Sequence, residues 1–151
     1  MNVVSGKTVV ITGGTGSFGN AFVRHLLALE PGPARVCILS RDELKQAEMR
    51  QRLVDDHRLR WFLGDVRDLA RLKMAFYGAD VVVHAAALKR VDACEADPFE
   101  AVKTNIFGTQ NVIEAALENE VKRVIVPSSD KACAPVNLYG ATKACVEKLV
   151  V

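Results

Sequence analysis

Short apolar runs rich in β-branched residues alternate along the chain with longer stretches in which apolar residues recur every three to four positions. Short runs of this kind are typical of buried strands, and the longer stretches are typical of amphipathic helices. The fourth run is apolar throughout, as expected of a strand that is covered on both faces. The predicted strands are residues 8–12, 35–39, 59–63, 80–87 and 123–127.

The helices are predicted from the spacing of apolar residues between these strands. The first helix is expected to pack on the sheet through Phe18, Phe22, Leu26 and Leu29. The next helices are expected at residues 42–54, ending near 55–56, and at 69–76. A long helix opens at Asp97-Pro98, and its predicted apolar face consists of Phe99, Val102, Ile106, Ile113 and Leu117.

Strands that alternate with helices predict an α/β fold, here a doubly wound parallel sheet of Rossmann type. The rules for parallel connections favour the strand order 3-2-1-4-5. A length of 151 residues fits one domain. We therefore expect a dinucleotide-binding domain over residues 1–151, truncated after the helix that follows the fifth strand.

Composition narrows the classes of function. Charged residues make up 25% of the chain and the net charge is only +2, with basic residues spread throughout, which argues against a nucleic-acid surface. The four cysteines form no CxxC pair and no signal peptide is recognised, so reduced thiols in the cytoplasm are expected. No apolar run approaches the roughly 20 residues of a membrane span, and no metal site is expected.

A glycine-rich loop follows the first predicted strand directly, with the sequence Gly13-Gly14-Thr15-Gly16-Ser17-Phe18-Gly19. Small residues there let the backbone approach a pyrophosphate, and the amino end of the next helix favours its negative charge. The order of strand, loop and helix indicates a dinucleotide site. The residues assigned to it here are Gly13, Thr15, Gly16, Ser17, Phe18 and Gly19.

The residues at the ends of the later strands predict the rest of this site. Ser40 and Arg41 follow the second strand, and an arginine there accommodates a ribose 2′-phosphate, so NADP is favoured, with NAD as the alternative. Asp65 is expected to accept the adenine amino group, with Val66 against the ring. The small residues Ala85, Ala86 and Ala87 leave room for the cofactor, and Lys89 could face phosphate or substrate.

The stretch after the fifth strand contains the candidate catalytic groups. Tyr139 and Lys143 are four residues apart and would share one helix face, where the ammonium could favour the phenolate. Ser128 or Ser129 could hydrogen-bond the same substrate oxygen. The amide of Asn105 is expected to tie the long helix to the active-site strand. We assign Asn105, Ser128, Tyr139 and Lys143 to the cofactor site as well.

Together these motifs resemble the extended short-chain dehydrogenases/reductases. Within that group, the segments 87–91 and 95–105 and the stretch Ser129-Asp130-Lys131-Ala132 resemble the inverting UDP-N-acetylglucosamine 4,6-dehydratases of bacterial polysaccharide and flagellin-glycan biosynthesis. Asp130-Lys131 carries this distinction, because the retaining enzymes have Asp-Glu there. Ser129 stands where these families commonly have threonine, which keeps the hydroxyl.

The resemblance implies a catalytic cycle on a UDP-sugar. Tyr139, assisted by Lys143, would remove the proton from O4 while hydride passes from C4 to NADP. Lys131 would then take the C5 proton and Asp130 would protonate the departing C6 hydroxyl. A homo-oligomer is implied as well. Members of this family continue beyond the Tyr-x-x-x-Lys helix into a part that holds the nucleotide-sugar, so the 151-residue chain alone is expected to turn over no sugar.

Two other functions remain open from the sequence. A UDP-sugar 4-epimerase or related reductase shares the glycine loop, Tyr139 and Lys143, and Asp130-Lys131 is the feature against it. Alternatively, the chain is a non-catalytic dinucleotide-binding module, because a fold does not fix a function.

Overall fold

The computed structural model describes residues 3–53 and 56–151. Its centre is a parallel sheet of five strands in the order β3-β2-β1-β4-β5, which confirms the predicted fold class and strand order. The strands are β1 Thr8–Thr12, β2 Arg35–Ser40, β3 Leu59–Leu63, β4 Val81–His84 and β5 Arg123–Ile125. The fourth and fifth strands end earlier than predicted, so residues 85–87 and 126–127 belong to the loops that follow them.

Seven α-helices and two shorter turns connect the strands over the described residues. The helices are α1 Ser17–Ala28, α2 Glu43–Arg52, α3 Leu69–Ala75, α4 Val91–Ala96, α5 Pro98–Val102, α6 Gly108–Glu118 and α7 Leu138–Leu149. A π-helical turn, Lys103–Phe107, joins α5 to α6, and a 3₁₀ turn, Asp130–Ala132, precedes α7. The predicted end of the second helix falls on Val54 and Asp55, which lie outside the described residues.

The buried core has one layer on each side of the sheet. Because successive strand residues point to opposite faces, Val10 packs on one side and its neighbours Val9 and Ile11 pack on the other. In the register of the sheet, Thr12 lies opposite Leu39 on β2 and opposite His84 on β4. The carboxyl ends of the three central strands are therefore level, which is where ligands bind in folds of this type.

Three of the four residues predicted to pack α1 on the sheet do so, namely Phe22, Leu26 and Leu29, and Phe18 is the exception. Val23 and Leu26 are fully buried, whereas Phe18 is 44% exposed and stacks on Phe22 with the ring centroids 5.4 Å apart. A Cβ on Gly19 would overlap the backbone of Gly14, so α1 approaches the loop through a glycine. Phe18 lies next to this close approach and remains at the surface.

The predicted long helix from residue 97 is wrong as a single helix with one large apolar face. Phe99 and Leu117 are 77% and 74% exposed, while Ala101, Thr104 and Val112 are buried. The helix is interrupted by the π-helical turn, which rotates the following residues relative to an α-helical register. Small and hydroxyl-bearing residues face the protein, and bulky ones face outward.

Along residues 3–53 and 56–151, every helix is too short or too polar to cross a bilayer.

Candidate active site

The loop between β1 and α1 passes close to the loop that follows β4. Gly13 has a φ of 66°, and a Cβ at this position would lie 2.7 Å from the backbone nitrogen of Ala86. A side chain at residue 13 would therefore be strained and would separate the two loops. Glycine at this position lets the two backbones form adjacent walls of one site.

The amino end of α1 offers free backbone donors to that site. No side chain caps this helix within the described chain, so its first N–H groups have no capping partner. Asn20 holds the loop from the other side, because its Nδ2 donates to the carbonyl oxygens of Thr15 and Gly16 at 2.8 and 3.1 Å. The backbone N–H groups of Gly14 and Gly16 are bonded to the carbonyl oxygens of Leu39 and Gly13, so the donors that remain for an anion are those at the start of α1.

A cavity of about 280 Å³ lies at the carboxyl ends of β1 to β4. Eleven of the residues predicted to bind cofactor line it: Gly13, Thr15, Gly16, Ser40, Arg41, Asp65, Val66, Ala85, Ala86, Ala87 and Lys89. Six further lining residues were not assigned to the site from the sequence, namely Leu39, Asp42, Lys45, Gly64, Leu88 and Thr104. Ser17, Phe18, Gly19, Asn105, Ser128, Tyr139 and Lys143 do not line it.

The end of β2 places two cations at the cavity. The side chains of Arg41 and Lys45 are 57% and 62% exposed, and each has an acidic neighbour: Arg41 Nη1 lies 3.8 Å from Asp65 Oδ2, and Lys45 Nζ lies 3.4 Å from Asp42 Oδ2. Such exposed pairs are weak, so both cations can turn to an anionic ligand. Arg41 was predicted here. Lys45 was not predicted, although it follows Arg41 by four residues, about one helical turn.

Arg67 holds the carboxylate of Asp65. The Nε and Nη2 atoms of Arg67 donate to Asp65 Oδ2 at 3.1 and 2.8 Å, and its backbone N–H donates to Oδ1 at 3.0 Å. Partial burial favours a raised pKa for Asp65, but the bonds from Arg67 and the charges of Arg67 and Arg41 outweigh it, so the pKa is lowered. Asp65 is therefore an oriented carboxylate at the cavity wall.

Thr104 contributes a buried hydroxyl without a partner to the cavity. Thr104 is 6% exposed, and among the described residues its Oγ1 is the one buried side-chain oxygen or nitrogen that makes no hydrogen bond. A buried hydroxyl without a hydrogen-bond partner costs free energy unless a ligand supplies that partner. Thr104 lies in the π-helical turn, where Asn105 interrupts the apolar spacing of the long predicted helix.

Asn105 and His84 brace the walls of the cavity from behind. The Asn105 amide bonds the backbone N–H and carbonyl of Leu88 at 2.8 and 2.9 Å, and it donates to Thr142 Oγ1 at 3.0 Å. His84 lies between Thr12 and Thr109, with ring nitrogens 2.6 and 3.0 Å from their hydroxyl oxygens. Asn105 thus ties the π-helical turn to the loop after β4 and to α7.

The bonds of Thr109 place a proton on Nε2 of His84, and burial keeps the ring neutral. Thr109 Oγ1 donates to the carbonyl oxygen of Asn105 at 2.6 Å, so it accepts from His84 Nε2–H, and Nδ1 accepts from Thr12. Burial, together with the nearby charge of Lys143, lowers the pKa of His84 to about 3. His84 therefore acts as a packed structural group, in line with its buried place in β4.

Helix α7 carries Tyr139 and Lys143 on one side. Its amino end is capped by Asn137, whose Oδ1 accepts from the backbone N–H of Gly140 at 2.8 Å. Tyr139 is 9% exposed and packs with Cys94 and Ala101. Lys143 is 6% exposed, and burial lowers its pKa, an effect that the charge of Glu147 opposes.

The turn after β5 presents Asp130 and Lys131 to solvent. The Lys131 ammonium lies 3.4 Å from Asp130 Oδ1, and their side chains are 47% and 87% exposed respectively. The pKa of Asp130 is lowered, first by a hydrogen bond from Ser129 and then by the charge of Lys131. Ser128 Oγ donates to Glu147 on α7. The four predicted catalytic residues thus occupy two adjoining elements, since the turn packs against α7.

The residues at the cavity fit a nicotinamide dinucleotide. The glycine loop and the uncapped end of α1 suit a pyrophosphate, Arg41 and Lys45 suit a further phosphate, and Asp65 suits a hydrogen-bond donor on a base.

Two curated relatives cover nearly all of this chain. It is 52% identical over 147 residues to the UDP-N-acetylglucosamine 4,6-dehydratase (inverting) of Campylobacter jejuni, a match that covers 97% of this chain and 43% of the relative. It is 48% identical over 147 residues to a UDP-glucose 4-epimerase of Rickettsia felis, which covers 96% and 43%. The chain therefore spans less than half the length of these relatives.

Solved structures agree with the fold. Pen from Bacillus thuringiensis superposes with a TM-score of 0.93 at 43% identity, over 97% of this chain and 46% of that one. DesIV, a dTDP-glucose 4,6-dehydratase from Streptomyces venezuelae solved with NAD, superposes with a TM-score of 0.79 at 30% identity, over 94% of this chain and 50% of that one. The family of polysaccharide biosynthesis proteins matches residues 9–151. This chain belongs to that family.

Proposed function

We propose that this chain is the dinucleotide-binding domain, residues 1–151, of an NADP-dependent, C5-inverting UDP-N-acetylglucosamine 4,6-dehydratase, a lyase of bacterial surface polysaccharide or glycan biosynthesis. One observation carries the proposal: the Asp130–Lys131 turn packs on the helix that bears Tyr139 and Lys143. That arrangement puts an acid–base pair beside an oxidation site. The 52% identity to the inverting dehydratase of Campylobacter jejuni supports the choice of reaction.

NADP is the proposed cofactor, with NAD as the alternative. Arg41 and Lys45 would hold the 2′-phosphate, because two cations at one wall of the cavity can both reach it. Asp65 would accept from the adenine amino group and Thr104 would donate to a cofactor oxygen. When bound, the nicotinamide would accept hydride from C4 of the sugar and return it to C6.

Tyr139 is the proposed base for the proton on O4 of the sugar. Its ring is held by Cys94 and Ala101, so the hydroxyl has a defined place. Lys143 is tied to the carbonyl oxygen of Pro127 and would favour the charged form of Tyr139 electrostatically. Oxidation at C4 then makes the proton on C5 acidic.

Lys131 is the proposed base at C5, and Asp130 the proposed acid at the C6 hydroxyl. In the structure the lowered pKa of Asp130 favours carboxylate and ammonium instead, so a proton must first pass from Lys131 to Asp130. The 3.4 Å contact between them gives a direct route. Lys131 then takes the C5 proton while Asp130 gives its proton to the departing hydroxyl as water, which regenerates the ion pair. A proton then reaches C5 from the opposite face.

The whole enzyme is proposed to act on UDP-N-acetylglucosamine in the cytoplasm as a homo-oligomer. Phe99 and Phe107 are exposed aromatic residues on α5 and the π-helical turn, and exposed apolar side chains of this size favour association. Because the chain spans only 43% of its curated relatives, residues 1–151 alone are expected to turn over no sugar.

Product mass tests the proposal. The natural full-length protein is incubated with UDP-N-acetylglucosamine and NADP, and the nucleotide-sugar is examined by mass spectrometry. Loss of one water supports the dehydratase. Wild-type protein that leaves the mass unchanged contradicts it, and Lys131→Ala is expected to abolish the loss of water.

A UDP-sugar 4-epimerase is the second candidate, favoured by the relative of that name in Rickettsia felis. Epimerisation at C4 would use Tyr139 and Lys143 but would leave Asp130 and Lys131 without a role. A product of unchanged mass with an inverted C4 would establish the epimerase instead.

A further inference from the structure

Gly140 is the point at which α7 touches the turn that carries Asp130 and Lys131. Gly140 is buried, and a Cβ added to it would overlap the carbonyl oxygen of Lys131 and lie 3.0 Å from the carbonyl carbon. The same Cβ would lie 3.1 Å from Cβ of Pro135. The backbone of the turn therefore rests on the helix where the side chain is missing.

A glycine is required at residue 140 because there is no room for a side chain, and not because of its backbone conformation. Gly140 lies in the first turn of α7 and has no positive φ. In such a position alanine favours the helix more than glycine does. The contact with Lys131 is therefore the feature of the structure that requires the absence of a Cβ.

The loop, and not the helix, would yield to a side chain at residue 140. The first turn of α7 is held by the Asn137 cap, and by Glu95, which accepts from the backbone N–H of Leu138 at 2.7 Å. The opposing segment is exposed at Lys131 and throughout residues 133–136. A clash with Gly140 would thus move the exposed loop outward.

We propose that Gly140 is a positioning residue that sets the Asp130–Lys131 pair relative to Tyr139, and that it controls the elimination step separately from oxidation at C4. The inference rests on the proposed function. Tyr139 and Lys143 have their own supports, the packing on Cys94 and the bond to Pro127. Displacing the turn therefore moves the elimination groups while the oxidation groups stay in place.

The test compares Gly140→Ala with the wild type in the natural full-length protein. In a single turnover with UDP-N-acetylglucosamine, the near-ultraviolet absorbance of the reduced nicotinamide reports oxidation, and release of the dehydrated product reports elimination. We expect oxidation within about threefold of wild type and elimination about 100-fold slower, since small displacements of reacting groups have effects of that order. Ala141→Ser, at the exposed neighbouring position, is the matched control and should leave both rates unchanged.

A second measurement reads the loop directly. Cys133 is exposed in the same segment, and its labelling by a thiol reagent, followed on its peptide by mass spectrometry, should change several-fold in Gly140→Ala and not in Ala141→Ser. The thermal unfolding midpoint and the NADP affinity should stay near wild type, because the substitution displaces only an exposed loop.

Three results would overturn the proposal. If Gly140→Ala slows both steps equally or fails to fold, Gly140 is a general packing residue. If elimination is unchanged, Gly140 does not constrain the Asp130–Lys131 turn. Failure of the proposed function is seen separately, as wild-type protein that releases no dehydrated product. In that case Cys133 labelling still decides whether Gly140 sets the loop.

Discussion

The Lys143 ammonium donates a hydrogen bond to the carbonyl oxygen of Pro127, 2.5 Å away. One helical turn further along α7, Glu147 accepts from the hydroxyl of Ser128. Two side chains on one face of α7 thus hold two consecutive residues, Pro127 and Ser128, in the loop that follows β5. The helix fixes the start of the segment that leads to Asp130 and Lys131.

Replacing Glu147 by glutamine is expected to lower the pKa of Lys143 further, because burial already lowers it and the Glu147 carboxylate opposes that effect. Lys143 then loses its proton at a lower pH. If its cation assists Tyr139, the high-pH limb of the kcat/KM profile of Glu147→Gln should move to lower pH. The measurement is the pH–rate profile of the natural full-length protein.

Lys148→Gln is the control for that profile. Lys148 is exposed and follows Glu147 on the same helix, so it should leave the limb in place. An unmoved limb in Glu147→Gln would show that the carboxylate does not support the Lys143 charge.

His84 should make the protein sensitive to acid. Its pKa is about 3 in the fold, against 6.5 without burial, so between these pH values the unfolded chain binds a proton that the folded chain does not. The free energy of unfolding should therefore fall as pH falls through this window, by up to about 1.4 kcal/mol per pH unit from this group. Urea unfolding of the natural full-length protein at several pH values measures the slope.

Substitution tests the assignment of that slope to His84. His84→Gln should lower stability at neutral pH and flatten the slope between pH 6.5 and 3, since glutamine does not titrate in that range. His57→Gln is the control, because the side chain of His57 is 93% exposed. Equal slopes in wild type and His84→Gln would contradict the buried neutral ring.

Thr104→Val should weaken NADP binding without weakening the fold. Valine keeps the shape and removes a buried hydroxyl that has no protein partner, so the loss falls on the ligand, by about tenfold in Kd for one hydrogen bond. Thr109→Val should weaken the fold and leave NADP binding unchanged, because the Thr109 hydroxyl bonds His84 and Asn105. Fluorescence titration and thermal unfolding separate the two effects, and an unchanged Kd in Thr104→Val would remove Thr104 from the site.

Arg41→Ala and Lys45→Ala should each reduce affinity for NADPH while leaving that for NADH nearly unchanged. A lost charged contact to the 2′-phosphate corresponds to roughly 10- to 100-fold in Kd. Arg50→Ala is the control on the same helix, since Arg50 lies over the ring of Trp61, 5.1 Å from its centroid. Equal losses for both cofactors, or a wild type that prefers NADH, would contradict the NADP assignment.

The sheet could be predicted from the sequence because its strands are short, apolar and separated by helices of ordinary length. The strand order could be predicted from the rules for connections between parallel strands. The glycine loop could be predicted because a side chain at positions such as Gly13 would clash with the neighbouring backbone. These features depend on local sequence and on general rules for parallel sheets.

The rotation of the helices could not be predicted in the same way. Phe18 and Phe99 follow helical spacing but lie at the surface, because the face that packs depends on tertiary contacts that the spacing alone does not encode. Thr104 was missed for a related reason. Its place at the cavity depends on the π-helical turn. The sequence instead favours the neighbouring Asn105 as a cofactor residue, whereas in the structure its amide is bonded to Leu88 and Thr142.

The configuration and isotope content at C5 of the product test the central claim most directly. The natural full-length protein is incubated with UDP-N-acetylglucosamine and NADP in D₂O, and the product is analysed by NMR. We predict a 4-keto-6-deoxy sugar with deuterium at C5 and inverted configuration there. Unchanged sugar, a C4 epimer without loss of water, or retained configuration at C5 would contradict the account.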